Sequence, residues 1–434
     1  MSITTLKNCQ EQTQTICANF RSNNSLRKYT LQLQYLIITT CNQLYDINCW
    51  DQQLNKSLSL SIFLCSVHIK LAVATNHFFI FQKPLIACKD KRLWNFLNKH
   101  CPVAAEKYWP TFWCFESRAQ TILRVLLQSK PSVQYKSEFI YTVDGGQIKL
   151  DWAENNENKR YTEDIRPTVL LLPGLTGSSN ESYILHMVTE AQNLGYRSVF
   201  FMYIYTPNLT YCAANTEDLT FVVDHIKSKY PNAPLLGTGV SLGGMILFNY
   251  LAKTGKNCKL VAGVCVSVAW NVFESVLSLE QPLNLFLFNR TLAQTLTELA
   301  RKNIDMFEHH FDMEHVLKSS TIREFDERFT AKMFGYPSWE AYYEEACIHQ
   351  KVHAVEVPVL CLNASDDPFS PSHAIPVNDA NNHDNIALVV TSHGGHIGFL
   401  EGLFPRHTNY MYRWFTQFVD SVFQHGDKEL HDYF

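Results

Sequence analysis

Ser241 is the residue of this chain best placed to serve as a nucleophile. It sits in Gly239-Val240-Ser241-Leu242-Gly243, a G-x-S-x-G pentapeptide between an apolar run (Pro234 to Val240) and an amphipathic stretch (Met245 to Ala252). That context is what a nucleophile elbow requires, because a strained turn from strand to helix lifts the serine hydroxyl clear of the sheet. The flanking glycines let the backbone turn and keep Cβ atoms away from the facing strand and helix. Taken alone, the pentapeptide also fits a plain glycine-rich turn, so its partners decide.

A serine hydroxyl is a poor nucleophile at neutral pH and needs a base, which in turn needs an orienting carboxylate. Both follow later in the chain, each just past an apolar run. After Val357 to Asn363 comes Ser365-Asp366-Asp367-Pro368-Phe369-Ser370-Pro371, and after Ile386 to Thr391 comes Ser392-His393-Gly394-Gly395-His396. Each partner has a decoy. Asp367 opens a D-P-x-x-P arrangement typical of an acid loop, whereas Asp366 is suited to satisfy backbone donors in the turn. His396 follows two glycines that can bring its loop to the serine, whereas His393 lies just beyond its strand. Acyl transfer further requires donors for a developing oxyanion. The backbone N–H of Leu242 is one. Pro173-Gly174-Leu175-Thr176-Gly177 offers the other, with Leu175 preferred and Thr176 the runner-up. His309, His310 and His315 read as a solvated helical face, and no metal or organic cofactor is expected.

The elements that must position these residues alternate. Phe139 to Val143 and Gln147 to Trp152 read as strands around Asp144-Gly145-Gly146, a hairpin signal. Thr168 to Leu172 is an apolar run of buried-strand type. Helix Glu181 to Leu194, strand Arg197 to Phe201, helix Thr216 to Tyr230, strand Leu235 to Val240, helix Gly243 to Lys253 and strand Leu260 to Val268 follow. Such alternation predicts an α/β fold with a doubly wound, mostly parallel sheet. Trp270 to about Lys351 breaks the rhythm with charged helical segments and reads as a cap inserted between strands (about 270–351). Tyr410 to Val422 supplies the last helix.

The remaining organisation is less regular. Residues 1–56 are polar and unassigned. Within 57–82, Leu58 to Phe81 is apolar and long enough for a bilayer, for which about 20 residues suffice. Lys70 near its middle costs about 2.5–3.5 kcal/mol on insertion scales. Residues 83–137 read as a helical, membrane-proximal segment dense in aromatics, 138–425 as the main domain and 426–434 as a tail. The chain has 434 residues, 46% of them hydrophobic, and a formal net charge of −4 that is not clustered, so nothing points to nucleic acid. The 13 cysteines form no C-x-x-C pair, which argues against a disulfide framework or a zinc site. Oligomeric state is not legible in these residues.

Several stretches resemble one family. They are His100-Cys-Pro-Val103, Leu171-Leu-Pro-Gly-Leu-Thr-Gly177 with Glu181-Ser-Tyr-Ile184, and Cys212-Ala-Ala-Asn-Thr-Glu-Asp218. Ile322-Arg-Glu-Phe-Asp326 with Met333-Phe-Gly-Tyr336, and Gly394-Gly-His-Ile-Gly-Phe-Leu-Glu-Gly402, complete the set. From about Leu93 to His425 the chain resembles the α/β-hydrolase domain-containing (ABHD) family, in the branch holding members one, two and three. Carried over by position, the resemblance puts the nucleophile on Ser241, the acid on Asp367 and the base on His396. It implies an α/β-hydrolase fold with a helical cap and an N-terminal membrane segment, which favours Leu58 to Phe81 as the span. A single-pass, type II placement in an internal membrane bilayer follows from the same resemblance. So do glycerophospholipid substrates, chiefly phosphatidylcholines, cleaved at an acyl ester. The chain departs from the family after Phe201. Phe201-Met-Tyr-Ile-Tyr-Thr-Pro-Asn-Leu-Thr210 replaces an N-N-R-G turn and a further glycine, which is expected to weaken support for the Leu175 N–H. The alternatives are a silent, lipid- or protein-binding relative and an acyltransferase. For the latter an H-x-x-x-x-D motif near the cap is absent, since Glu314 stands five residues after His309.

Overall fold

The computed structural model describes residues 83–89, 91–142, 145–204, 212–407 and 409–430, which belong to one compact unit. Its frame is a nine-stranded sheet in the order β1-β9-β8-β7-β6-β4-β5-β3-β2. The strands β4 (Thr168–Leu172), β5 (Arg197–Ile204), β6 (Leu235–Val240), β7 (Ala262–Val266), β8 (Val359–Ala364) and β9 (Ile386–Thr391) run parallel. All but β5 are buried at every position. Strands covered on both faces read as continuous apolar runs, which is why the sequence located β4, β6 and β9 at their observed bounds. Alternate residues serve opposite faces. Leu170 and Leu172 pack in one core cluster, and Val169 and Leu171 in the other.

The hairpin β2 (Lys136–Tyr141) and β3 (Gln147–Ala153) joins antiparallel to β5. The order reverses at β4, whose neighbours are β5 and β6. Open α/β sheets bind ligands outside the carboxyl ends of their strands at such a switch point. The loops carrying Leu175 and Ser241 leave β4 and β6 at that end.

Residues 83–137, set apart above as a membrane-proximal segment, pack onto the sheet. Strand β1 (Leu85–Ala87) pairs antiparallel with the edge strand β9, Leu85 opposite Val390. Helix α1 (Lys91–His100) puts Leu93, Phe96 and Leu97 into the same cluster as Trp414, Phe415 and Phe418 of the last helix. Helix α2 (Ser117–Leu127) completes the segment. The main helices are α3 (Ser182–Asn193), α4 (Glu217–Lys229) and α5 (Leu242–Thr254). Between β7 and β8 the cap runs from α6 (Val272–Leu279) through α7 (Arg290–Lys302) to α8 (Trp339–Ala346). It has a core of its own, with Leu296, Phe307, Phe325 and Phe329 at the centre. Helix α9 (Tyr410–Glu429) extends beyond the expected end at Val422 and into the first residues of the tail. The expected span Leu58 to Phe81 lies outside the described residues. Among the described residues no helix is long and apolar enough to cross a membrane.

Candidate active site

Ser241 caps the start of α5 with φ 55° and ψ −120°. A non-glycine residue in that region costs of order 1–3 kcal/mol and persists only where its surroundings enforce it. Here the enforcement is visible. The Ser241 N–H donates to Val266 O on β7 at 2.8 Å. A Cβ at Gly239 would overlap Gly243 O and Gly244 Cα, and one at Gly243 would overlap the carbonyls of Leu172 and Pro173. The two glycines thus let β6, α5 and the loop after β4 meet closely enough to force the turn. Other non-glycine residues with positive φ flank the same point: Thr176, Ser267, Ile397 and Phe399.

The structure brings Ser241, His396 and Asp367 into one hydrogen-bonded line. Asp367 follows β8 and is almost fully buried. Its Oδ2 and Oδ1 lie 2.9 and 3.1 Å from His396 Nδ1. An ionised carboxylate only accepts, so Nδ1 carries the proton and Nε2 is left to accept. The Ser241 hydroxyl donates to Nε2 at 2.8 Å. Asp367 is fixed in turn, since Phe369 N–H donates to its Oδ1 at 2.7 Å. The Phe369 ring stacks on the His396 imidazole at 4.1 Å.

The two decoys also find each other. His393 Nδ1 lies 3.4 Å from Asp366 Oδ2, and Asp366 Oδ1 accepts the Gly395 N–H at 2.9 Å. Burial pushes the Asp366 carboxyl up from its ordinary range, and the hydrogen bond from His393 pulls against that. The Asp366–His393 pair therefore braces the loop that presents His396, without touching Ser241.

The residues that hold His396 from below were missed in the sequence. Its N–H donates to Thr121 Oγ1 at 2.9 Å, Thr121 Oγ1 donates to Ser117 O at 2.8 Å, and Ile397 N–H donates to Ser267 Oγ at 3.0 Å. Gly395 adopts φ +56° and lies so close to Ser117 O that a Cβ would overlap it. Only the Gly394-Gly395 pair signalled this close approach.

On the opposite side, the loop after β4 abuts the serine. A Cβ at Gly174 would stand 3.3 Å from Ser241 Cβ. The loop is pinned by its own turn, Gly177 N–H to Gly174 O at 2.9 Å, and by Gly174 N–H donating to Tyr183 Oη at 3.0 Å. Leu242 is the first residue of α5, so its N–H is one of the helix's unpaired donors. Leu175 and Leu242 both line the cavity that contains Ser241. Neither N–H has a hydrogen-bond partner among the described residues. Most of the 202–210 stretch, in which the family's turn is missing, lies outside the described residues.

The cavity measures about 550 Å³ and is lined by Ser241 and His396 on one side and by cap residues such as Leu279, Leu292, Leu296, Phe325 and Phe329 on the other. Ile122, Val125 and Leu126 of α2 line it as well and are exposed, Leu126 at 73%. One carboxyl faces it from the cap. Burial raises Asp326 to about 6, opposed by hydrogen bonds from Thr330 and Tyr343. As for metals, the group His100, His425 and Glu429 places its donor atoms together. Lys99 already contacts Glu429 at 2.7 Å, and the two imidazole rings stack 4.0 Å apart, so their in-plane lone pairs do not converge. Among the described cysteines that form no disulfide, Cys265 and Cys361 face each other on β7 and β8, and Cys265 Sγ donates to Gly244 O at 3.7 Å.

A family model described as alpha/beta hydrolase fold matches residues 167–403. A protein of Mus musculus named phospholipase ABHD3 is 52% identical over 355 residues, covering 80% of this chain and 86% of its own. The Caenorhabditis elegans protein abhd-3.2 is 33% identical over 348 residues, covering 78% of this chain and 89% of its own. Among solved structures, an esterase of Pyrococcus furiosus aligns at a TM-score of 0.43 and 15% identity, over 67% of this chain and 91% of its own.

Proposed function

The chain belongs to the ABHD family of α/β hydrolases, and from that premise we propose that it is a serine hydrolase of lipid acyl esters, with glycerophospholipids, first among them phosphatidylcholines, as substrates. The observation that carries this reading is the Ser241–His396–Asp367 line opening directly into an apolar cavity roofed by the cap.

In this reading Ser241 Oγ attacks the ester carbonyl carbon as its proton passes to His396 Nε2, while Asp367 holds the imidazole in the tautomer that accepts there and stabilises the imidazolium. The carbonyl oxygen becomes an oxyanion that accepts from the N–H groups of Leu175 and Leu242. Collapse breaks the bond to the glycerol oxygen, which takes the proton from His396 and leaves as a lysophospholipid. Water then attacks the acyl-serine, giving its proton to His396. Release of the fatty acid returns that proton to Ser241. The cavity supports an acyl chain as the buried part of the substrate, since pockets are lined mainly by apolar side chains with few polar groups that orient the ligand. The exposed face of Ile122, Val125 and Leu126 at the cavity supports entry from a lipid surface. An anchor at Leu58 to Phe81 in an internal membrane belongs to the same proposal.

The test is product analysis on phosphatidylcholine vesicles. Equal amounts of free fatty acid and lysophosphatidylcholine from wild type, and neither from Ser241→Ala, are expected. Acyl appearing on an added alcohol instead of as free acid would replace hydrolysis by transfer. No product from folded wild type would defeat the reading.

A further inference from the structure

Helix α2 carries a charge that the mechanism above leaves unused. Arg124 lies one turn beyond Thr121, the residue that holds the His396 N–H, and its side chain lines the same cavity as Ser241 and His396. Its Nε and Nη1 are buried and meet no hydrogen-bond acceptor among the described residues. It forms no ion pair among them either. Its neighbours along that face of α2 are neutral and engaged through their carbonyl oxygens, Gln120 with Tyr108 and Gln128 with Tyr412. Arg124 is thus the one arginine or lysine that lines the cavity among the described residues.

What Arg124 does touch points to the reacting centre. Its guanidinium carbon stands 5.2 Å from the centroid of the Tyr183 ring. The Tyr183 hydroxyl accepts the N–H of Gly174. A Cβ built at Gly174 would lie 3.7 Å from that hydroxyl and 3.7 Å from Ser241 Oγ. Guanidinium, ring, glycine and nucleophile therefore follow one another along a single wall. Arg124 is half-buried, but its Nε–H and Nη1–H are shut off from water without an acceptor, and hydrogen bonds left unmade by a charged group are costly. A packing role for the ring stack would need no buried donors. The guanidinium's planar fork matches an anion with two adjacent oxygens.

We propose that Arg124 recognises the phosphodiester of a glycerophospholipid substrate, holding it while the acyl ester on the same glycerol faces Ser241. This rests on the lipid acyl-ester reading above. The phosphodiester is preferred to a carboxylate because it is tied to the ester by a short glycerol link, as Arg124 is tied to Ser241 by one aromatic ring. The residue binds away from the reacting atoms and so sets which esters are cleaved, without joining the proton transfers.

The test compares wild type, Arg124→Gln and Arg124→Lys on a phosphatidylcholine and a 1,2-diacylglycerol with the same acyl chains, presented in the same neutral detergent micelles. The ratio of kcat/KM for the two substrates is expected to fall about 10- to 100-fold in Arg124→Gln, mostly through KM, the loss a charged hydrogen bond carries. Arg124→Lys should recover part of it. An unchanged ratio, with both substrates losing equally, would make Arg124 a support for α2 and overturn the proposal. A binding arm in the Ser241→Ala background is independent of turnover, using dodecylphosphocholine and dodecyl maltoside below their micelle thresholds. Arg124→Gln should weaken the phosphocholine amphiphile by about tenfold or more and leave the maltoside as it was. Equal binding of dodecylphosphocholine with and without Arg124 would overturn the proposal, as would inorganic phosphate binding as tightly as dodecylphosphocholine. If wild type cleaves neither ester, the hydrolase reading fails, and the binding arm still decides on Arg124.

Discussion

Replacing Thr121 with valine separates the support of the catalytic base from the base itself. Thr121 Oγ1 accepts the His396 N–H at 2.9 Å and donates to Ser117 O at 2.8 Å, with both side chains buried. Valine keeps the branch and removes the acceptor, leaving a buried N–H unpaired, a loss of about 1–3 kcal/mol. The loop's other supports on α2 lie to either side of His396, Gly395 against Ser117 O and Gly398 and Leu400 against Gln120, so the strain released falls on His396 itself. Its Nε2 stands 2.8 Å from Ser241 Oγ. A shift of about 1 Å in a reacting pair costs on the order of 10² in rate. Thr121→Val is therefore expected to lower kcat about 10- to 100-fold with KM nearly constant, and to lower the unfolding free energy by about 1–3 kcal/mol. Thr121→Ser should restore both. Steady-state hydrolysis of a soluble ester, with chemical denaturation on the same preparations, reads the two effects. A destabilised Thr121→Val enzyme with wild-type kcat would refute the claim that α2 positions the base.

Three further outcomes follow from the site. Asp367→Asn should lower kcat by about 10⁴, because the imidazole loses its tautomer. Asp366→Asn keeps an acceptor for the Gly395 N–H and should leave kcat of the same order, a contrast that steady-state kinetics on the two variants reads directly. Gly243→Ala would drive a Cβ into the carbonyls of Leu172 and Pro173, displacing the loop of Leu175, and should cost about 10²–10³ in kcat, as losing an oxyanion donor does. Asp326 titrates at about 6 when folded, against 3.8 as its ordinary value. The folded state then holds the proton that the unfolded state has lost, so stability should fall as pH rises from about 4 to 6, by on the order of 3 kcal/mol in all. Asp326→Asn should abolish that decline, which urea titrations at pH 4, 5, 6 and 7 would reveal, and a decline of equal size in the variant would place its origin elsewhere.

The parallel strands and the Ser241, Asp367 and His396 loops were legible because each depends on short-range pattern. A buried strand is a continuous apolar run, and the loops sit at strand ends in a fixed order. The choice of Asp367 over Asp366 also lay within one loop, where the proline-bounded turn separates the two. The role of 83–137 was not legible, for two physical reasons. The bond from His396 to Thr121 spans 275 residues of chain, a distance over which no local pattern speaks. Helix α2 is also inverted: Ser117, Gln120 and Thr121 are buried, while Ile122, Val125 and Leu126 are exposed. Reading apolar as inward therefore assigns its faces the wrong way round. Strand β1 escaped because three residues at a sheet edge are too few to show a period. The two unbonded donors of Arg124, Nε and Nη1, have no sequence signature at all, since being shut off from water and from acceptors is a property of the folded neighbourhood.

The central claim, that Ser241 is an activated nucleophile, meets its most direct test in reaction with a fluorophosphonate probe followed by intact-protein and peptide mass spectrometry. Wild type should take up one phosphonyl adduct, mapped to Ser241 and suppressed by excess phosphatidylcholine, and Ser241→Ala should take up none. Folded wild-type protein that forms no adduct, or an adduct of equal yield on Ser241→Ala, would contradict the account.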